Sequence, residues 1–119
     1  MSSEALVEGT DSIVAAWETA GQVYFAKVKP GTPQIDKPQS APGTGRERKH
    51  PAVAVNAKGE TILVWTEGTG WERGGALAWQ VFDKDGKPTA EKGRLDQGIA
   101  VWSLPTVVAG PVGKFLIIH

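Results

Sequence analysis

The sequence predicts an all-β protein made of short antiparallel strands, and two observations support this. Fifteen glycines and eight prolines are spread along the 119 residues and interrupt every apolar run before it reaches helical length. The apolar runs are rich in β-branched and aromatic residues, and they recur at intervals of about fifty residues. A repeat of this length is typical of one small sheet that stacks on copies of itself.

The repeat is clearest in segments that follow a tight turn and share a run of β-branched and aromatic residues. These segments are residues 11–18, 60–67 and 113–119. We align Ile13, Ile62 and Phe115 as equivalent positions, which makes each segment one strand of a repeated unit.

Each unit is predicted to be a meander of four antiparallel strands. Strands at 51–55 and 105–108 precede the repeated segments through turns at 56–59 and 110–113, and Leu6 and Val7 are the weaker counterpart in the first copy. Half-buried strands at 22–28 and 76–82 follow, each with a poorer fourth strand. The first two strands are nearly all apolar because neighbouring sheets cover both of their faces.

Four-stranded units that stack radially are the blades of a β-propeller. The chain divides into a blade at residues 4–50, a second at 51–103 and a half blade at 104–119. Propellers have about four to eight blades, so two and a half cannot close a ring. We therefore expect this partial β-propeller to be the C-terminal portion of a larger one, or to self-associate through its open blade edges.

The composition of the chain excludes several classes of partner and site. Thirteen basic and thirteen acidic residues cancel, so neither nucleic acid nor an anionic membrane is expected as a partner. The lack of cysteine excludes disulfides and thiolate metal sites and leaves the compartment undetermined. No signal-peptide pattern or apolar stretch of membrane-spanning length is present, and no cofactor is expected.

Residues 13–18, 22–27, 50–67 and 78–88 resemble repeats of sialidase-like (BNR-repeat-type) β-propeller proteins of bacteria, which are often secreted or periplasmic. The Asp-box of that superfamily, Ser/Thr-x-Asp-x-Gly-x-x-Trp/Phe, is not intact: residues 82–88 have a similar turn without the leading hydroxyl and closing aromatic. A sialidase of this type also needs three arginines, a tyrosine nucleophile with a glutamate, and an aspartate. The one tyrosine, Tyr24, lies within a strand and matches no such motif, so no catalytic residue is assigned.

The connections of a meander emerge alternately on two faces. Minimal turns at 56–59, 83–86 and 110–113 occupy one face, and the loops 43–50, 68–75 and 96–102 occupy the other. Arginine forks suit carboxylates and sugar hydroxyls, and an exposed tryptophan offers an apolar plane for a sugar ring. The candidate binding residues on this loop face are Arg46, Arg48, His50, Glu67, Trp71, Glu72, Arg73 and Trp102.

Alternatives stay open for several of these residues. The basic run 46–49 also fits a solvated loop with weak internal ion pairs. Trp17, Trp65 and Trp79 lie on strands and also fit packing in the core of a blade or between blades. Glu18 and Glu67 recur at the same place in the repeat, either as paired carboxylates or as strand-end residues bonded to loop backbone. Residues 83–86 fit a hairpin turn better than a calcium loop, and no metal site is predicted.

The preferred function is a non-catalytic binding or scaffold module that recognises a carbohydrate or a protein. The alternative is part of a glycoside hydrolase of the sialidase type, whose active site is completed by blades or subunits outside this chain. A third hypothesis is a chain with no function of its own, held together by oligomerisation.

Overall fold

The computed structural model describes residues 4–8, 12–28, 31, 37–43, 45, 47–68, 74–100 and 104–119. Within these residues the all-β prediction is confirmed: there are ten strands, a single 3-10 turn at Pro111–Gly113 and no α-helix. The strands are β1 (Glu4–Glu8), β2 (Ile13–Thr19), β3 (Gln22–Val28), β4 (Gln39–Ser40), β5 (Arg48–Val55), β6 (Thr61–Glu67), β7 (Ala76–Phe82), β8 (Pro88–Leu95), β9 (Thr106–Ala109) and β10 (Phe115–Ile118).

The strands form three antiparallel sheets in chain order. Sheet 1 is β1-β2-β3-β4, sheet 2 is β5-β6-β7-β8, and β9 and β10 form a hairpin. The predicted meanders are therefore present as strand order and pairing. The sheets do not close into a ring among the residues that the structure describes.

Sheet 2 lies between the other two sheets and has an apolar cluster on each face. The first cluster joins Val14, Ala16 and Phe25 of sheet 1 to Leu63 and Phe82 of sheet 2. The centres of the two phenylalanine rings are 4.5 Å apart. The second joins the opposite face of sheet 2 to the hairpin; it contains Ile62, Val64, Leu77 and Val107, with Phe115 and Ile117 packed against it. Because both faces of sheet 2 are buried, β6 has four consecutive apolar residues, 62–65, instead of an alternating pattern.

The alignment of Ile13 with Ile62 is wrong by one residue. Val7 pairs with Val14 in sheet 1 as Ala54 pairs with Ile62 in sheet 2, and all four side chains lie on the face turned toward the following sheet. Ile13 therefore corresponds to Thr61, and Trp17 corresponds to Trp65. Glu67 corresponds to Thr19, so Glu18 and Glu67 do not occupy equivalent positions as the sequence suggested.

The three predicted minimal turns are confirmed, and they share one backbone pattern. The N–H groups of Asn56, Asp83 and Gly110 each donate to the carbonyl four residues later, at 2.7–3.0 Å. Asn56 Oδ1 also accepts two backbone N–H bonds inside its turn, and its amide nitrogen donates to the Gly113 carbonyl at 3.0 Å. The Asn56 side chain thereby links the tip of sheet 2 to the tip of the hairpin.

Strand β5 begins at Arg48, three residues before the predicted strand. A β-bulge lies between Lys49 and Ala52, where β5 has one more residue than its partner β6. His50 adopts a left-handed backbone conformation there, with φ 52°, and the ring nitrogen of Pro51 has no proton to donate to the ladder. The strand thus continues through residues expected to form a loop.

Candidate functional site

The structure describes three of the eight predicted loop-face residues, namely Arg48, His50 and Glu67. All three lie in strands: Arg48 and His50 in β5, and Glu67 at the end of β6. His50 is half-buried in the bulge. Arg46, Trp71, Glu72, Arg73 and Trp102 lie outside the described residues, and their binding roles stay predictions.

Arg48 is neither an exposed ligand fork nor part of a solvated loop. Its side chain is 2% exposed and occupies the gap between sheets 1 and 2. The guanidinium donates to the carbonyls of Ala41 and Pro42, each at 2.7 Å, and to Gln22 Oε1 at 3.0 Å. It also lies 5.3 Å from the centre of the Trp65 ring, within the range of a cation–π contact. Arg48 therefore fastens β5 to the end of sheet 1.

Glu67 is the carboxylate partner of Arg48, with Oε2 2.9 Å from Arg48 Nε. Trp65 Nε1 donates to the same oxygen at 2.8 Å, and Arg94 Nη1 donates to Oε1. Burial raises the pKa of Glu67, but the hydrogen bonds from Arg94 and Trp65, with the charges of Arg94 and Arg48, outweigh it and hold the pKa below its ordinary value. Glu67 is thus an ionised anchor for two arginines.

A cleft of about 640 Å³ opens beside this network, within the size range of small-molecule sites. Gly45 lies so close to Glu67 that a Cβ at position 45 would overlap the carboxylate. The residues lining the cleft are Pro42, Gly43, Gly45, Arg48, Trp65, Glu67, Ala78, Trp79, Gln80, Lys92, Gly93 and Arg94.

The outer strands of the two sheets differ in length beside the cleft. β4 has two residues, whereas β8 has eight and pairs along β7, and Lys92, Gly93 and Arg94 of β8 line the cleft. Lys92 pairs with Gln80 and Arg94 with Ala78, which places both cations on the side of sheet 2 that faces sheet 1. Both are exposed, so they stand at the mouth of the cleft.

Sequence reasoning missed Lys92 and Arg94 because β8 was taken only as a poorer outer strand. The sequence did contain an indication of this site: Lys92 and Arg94 are two residues apart, so in a strand their side chains lie on the same face. Gly93 also leaves room for a neighbour, since a Cβ there would overlap the Trp79 ring.

Trp65 and Trp79 pack between sheets, as the packing alternative predicted, whereas Trp17 lies on the face of sheet 1 that no described sheet covers. Trp65 is 3% exposed and belongs to the cluster between sheets 1 and 2. Trp79 is half-buried and packs against the second cluster. Trp17 stacks on Tyr24 of the neighbouring strand, with ring centres 6.1 Å apart.

Other chemistry finds little support in the described part of the chain. No group of three or more His, Cys, Asp or Glu side chains is placed there to hold a metal ion. No described helix is long and apolar enough to cross a membrane. Glu18 is on the side of sheet 1 that faces sheet 2, but it does not line the cleft.

Comparison with known proteins finds no similar protein. No family model matches the chain, and neither the curated proteins nor the solved structures contain a match.

Proposed function

We propose that this chain is a non-catalytic binding module of the sialidase-like propeller type, whose cleft between sheets 1 and 2 binds an acidic carbohydrate. The observation that supports the proposal is the charge of the cleft. Arg48, Lys92 and Arg94 line it together with a single described carboxylate, Glu67. Asp96 accepts from Arg94 outside the lining and offsets one of these cations, so one positive charge remains in excess beside apolar and aromatic surface. This combination suits a sugar that bears a carboxylate.

Lys92 and Arg94 are the groups available to such a ligand. Arg94 is 47% exposed, and its bonds to Glu67 and Asp96 use Nη1 and Nε, so neither bond uses Nη2. Lys92 is exposed on the same face. Arg48 is buried and bonded to sheet 1, so it contributes charge rather than a contact.

The described part of the cleft favours binding over glycoside hydrolysis. The sialidase-type hydrolase of the alternative needs a tyrosine nucleophile with a glutamate and an aspartate, and no tyrosine or aspartate is among the described residues that line the cleft. Glu67 is the one carboxylate among the described lining residues, and its pKa is lowered by its hydrogen bonds and by the neighbouring arginines. A carboxylate held this way is a poor acid and a weak base.

Titration of the full chain with glucuronic acid, N-acetylneuraminic acid and neutral glucose tests the proposal, with binding measured by calorimetry or NMR. We expect the acidic sugars to bind more tightly than glucose and their affinity to fall as salt rises. Lys92→Gln removes one charge-assisted contact without touching Glu67 and should weaken binding about tenfold.

Lys84→Gln is the matched control, because Lys84 is exposed in the turn before β8 and does not line the cleft. Equal affinity for glucose and the acidic sugars, binding of none of them, or equal losses in Lys92→Gln and Lys84→Gln would reject the proposal. Loss of binding in Trp71→Ala with none in Lys92→Gln would place the ligand at the predicted loop face instead.

A further inference from the structure

The stacking of the sheets follows one rule, which leaves an apolar face at each end. We call the face of a sheet that points toward the following sheet its front and the opposite face its back. The front of sheet 1 packs on the back of sheet 2, and the front of sheet 2 packs on the back of the hairpin. The back of sheet 1 and the front of the hairpin are the two faces without a sheet against them among the described residues.

Side chains on these two faces are far more exposed than the side chains at equivalent positions on the covered faces. On the backs, Leu6 corresponds to Val53 and Val107, since each pairs with the third residue of the next strand; Leu6 is 75% exposed, whereas the two valines are 7% and 8% exposed.

On the fronts, Leu116 and Ile118 correspond to Ile62 and Val64. The two hairpin residues are 58% and 52% exposed, whereas their counterparts in sheet 2 are 2% and 0% exposed. Each counterpart is covered by the sheet that follows it.

We infer that the front of the hairpin in one copy of this chain packs on the back of sheet 1 in a second copy. We choose a second copy of the chain as the partner because the chain already uses this packing twice. The front of sheet 1 packs on the back of sheet 2, and the front of sheet 2 packs on the back of the hairpin, so the proposed joint is a third contact of the same kind. The back of sheet 1 also presents the stacked Trp17–Tyr24 pair beside the exposed Leu6.

This joint is head-to-tail, so the two copies contribute different surfaces. A heterologous joint produces rings when its rotation closes and open filaments when it does not. Pairing between strand edges through a two-fold axis would instead use the same surface of both copies. Variants that disable one face at a time separate these two modes of association.

The test uses Leu6→Asp and Leu116→Asp in the full chain, with mass measured by sedimentation velocity over a range of concentrations. We expect the unmodified chain to form species larger than its 12.6 kDa monomer and each variant alone to sediment as a monomer. An equimolar mixture should form a 1:1 dimer and nothing larger, because each variant retains the face that the other has lost.

Val112→Asp is the control, since Val112 is 85% exposed in the hairpin turn and belongs to neither face. It should associate like the unmodified chain, and circular dichroism should show unchanged sheet content in all three variants. A monomeric unmodified chain at every concentration, association of either single variant alone, or a mixture that stays monomeric would overturn the inference.

Discussion

The two junctions of sheet 2 differ in how they are held together. The junction with sheet 1 combines an apolar cluster with buried charges at one end, where Arg48 binds Glu67 and three acceptors of sheet 1. At its other end Lys27 donates to the carbonyl of Lys84 at 2.7 Å. The junction with the hairpin has an apolar cluster, and among its described residues the bond from Asn56 to Gly113 is a polar link.

The difference shows what a polar interior contributes here. Replacing a buried ion pair by well-packed apolar residues is often neutral, so the Arg48–Glu67 pair is weak support for stability by itself. Its directional bonds do fix which residues of sheets 1 and 2 meet. The cleft lies beside this end of the junction, so Arg48 and Glu67 both join the sheets and line the cleft.

The largest expected effect is that of Arg48→Met. Removal of the guanidinium takes one partner from Glu67 and from the Ala41 and Pro42 carbonyls, while Gln22 Oε1 keeps its bond from the Val23 N–H. The free energy of unfolding should therefore fall by about 3–5 kcal/mol. Chemical denaturation measures the change. Arg94→Met removes the half-exposed partner of the same carboxylate and should cost about 1 kcal/mol or less. Equal losses in the two variants would show that the junction does not depend on the buried arginine.

A matched pair of truncations compares the apolar parts of the two junctions. Leu63 and Ile117 hold equivalent positions opposite Val53 and Val107, but Leu63 is fully buried and Ile117 half-buried. Leu63→Ala should destabilise by about 2–5 kcal/mol. Ile117→Ala should cost about 1–2 kcal/mol, because less apolar surface is lost. An Ile117→Ala loss as large as that of Leu63→Ala would mean that the hairpin joint is as tightly packed.

A smaller effect is expected for Asn56→Ala, which removes two backbone bonds and one bond to Glu60 within its turn, together with the link to Gly113. Because Asn56 is 3% exposed, the loss should be about 1–3 kcal/mol in thermal or chemical unfolding. Asp83→Ala is the control: Asp83 accepts two equivalent backbone bonds within an exposed turn, and in the described residues no side-chain hydrogen bond joins it to another sheet. If Asp83→Ala lowers the free energy of unfolding as much as Asn56→Ala does, the bond from Asn56 to Gly113 does not stabilise the junction.

The smallest expected effect is a difference in acid sensitivity. The pKa of Glu67 in the folded chain lies below the ordinary 4.5, so its contribution is present above pH 4.5 and is lost as pH falls through the lower folded value. Glu67→Gln should be less stable at neutral pH, and its deficit relative to the unmodified chain should shrink below pH 4.5. A deficit that grows on acidification would contradict the lowered pKa.

Strands and turns could be predicted from the sequence, whereas the register of the repeat could not. Glycine, Asn and Asp mark the turns locally, and these positions are correct. In β6, however, every residue is buried, so alternation gives no sign of which side chains share a face, and Ile62 was aligned one residue away from its true counterpart.

The candidate site was predictable only in part for a similar reason. Arg48 and Glu67 were selected for their chemistry, but their burial depends on contacts with Ala41 and Pro42 across the gap between sheets. Lys92 and Arg94 line the cleft together with residues that are distant in the sequence, such as Pro42 and Gly43, and no local feature of β8 predicts those neighbours.

The bulge at His50 and Pro51 decides on which side of sheet 2 the Arg48 cation stands. Val53 and Val55 face sheet 1, so in an unbroken strand residue 49 would share their side and residue 48 would point toward the hairpin. The inserted residue reverses this parity and brings Arg48 opposite Glu67. Loss of one codon here would therefore exchange the two neighbouring cations between the faces of sheet 2, turning Arg48 toward the hairpin and bringing Lys49 to the side of sheet 1.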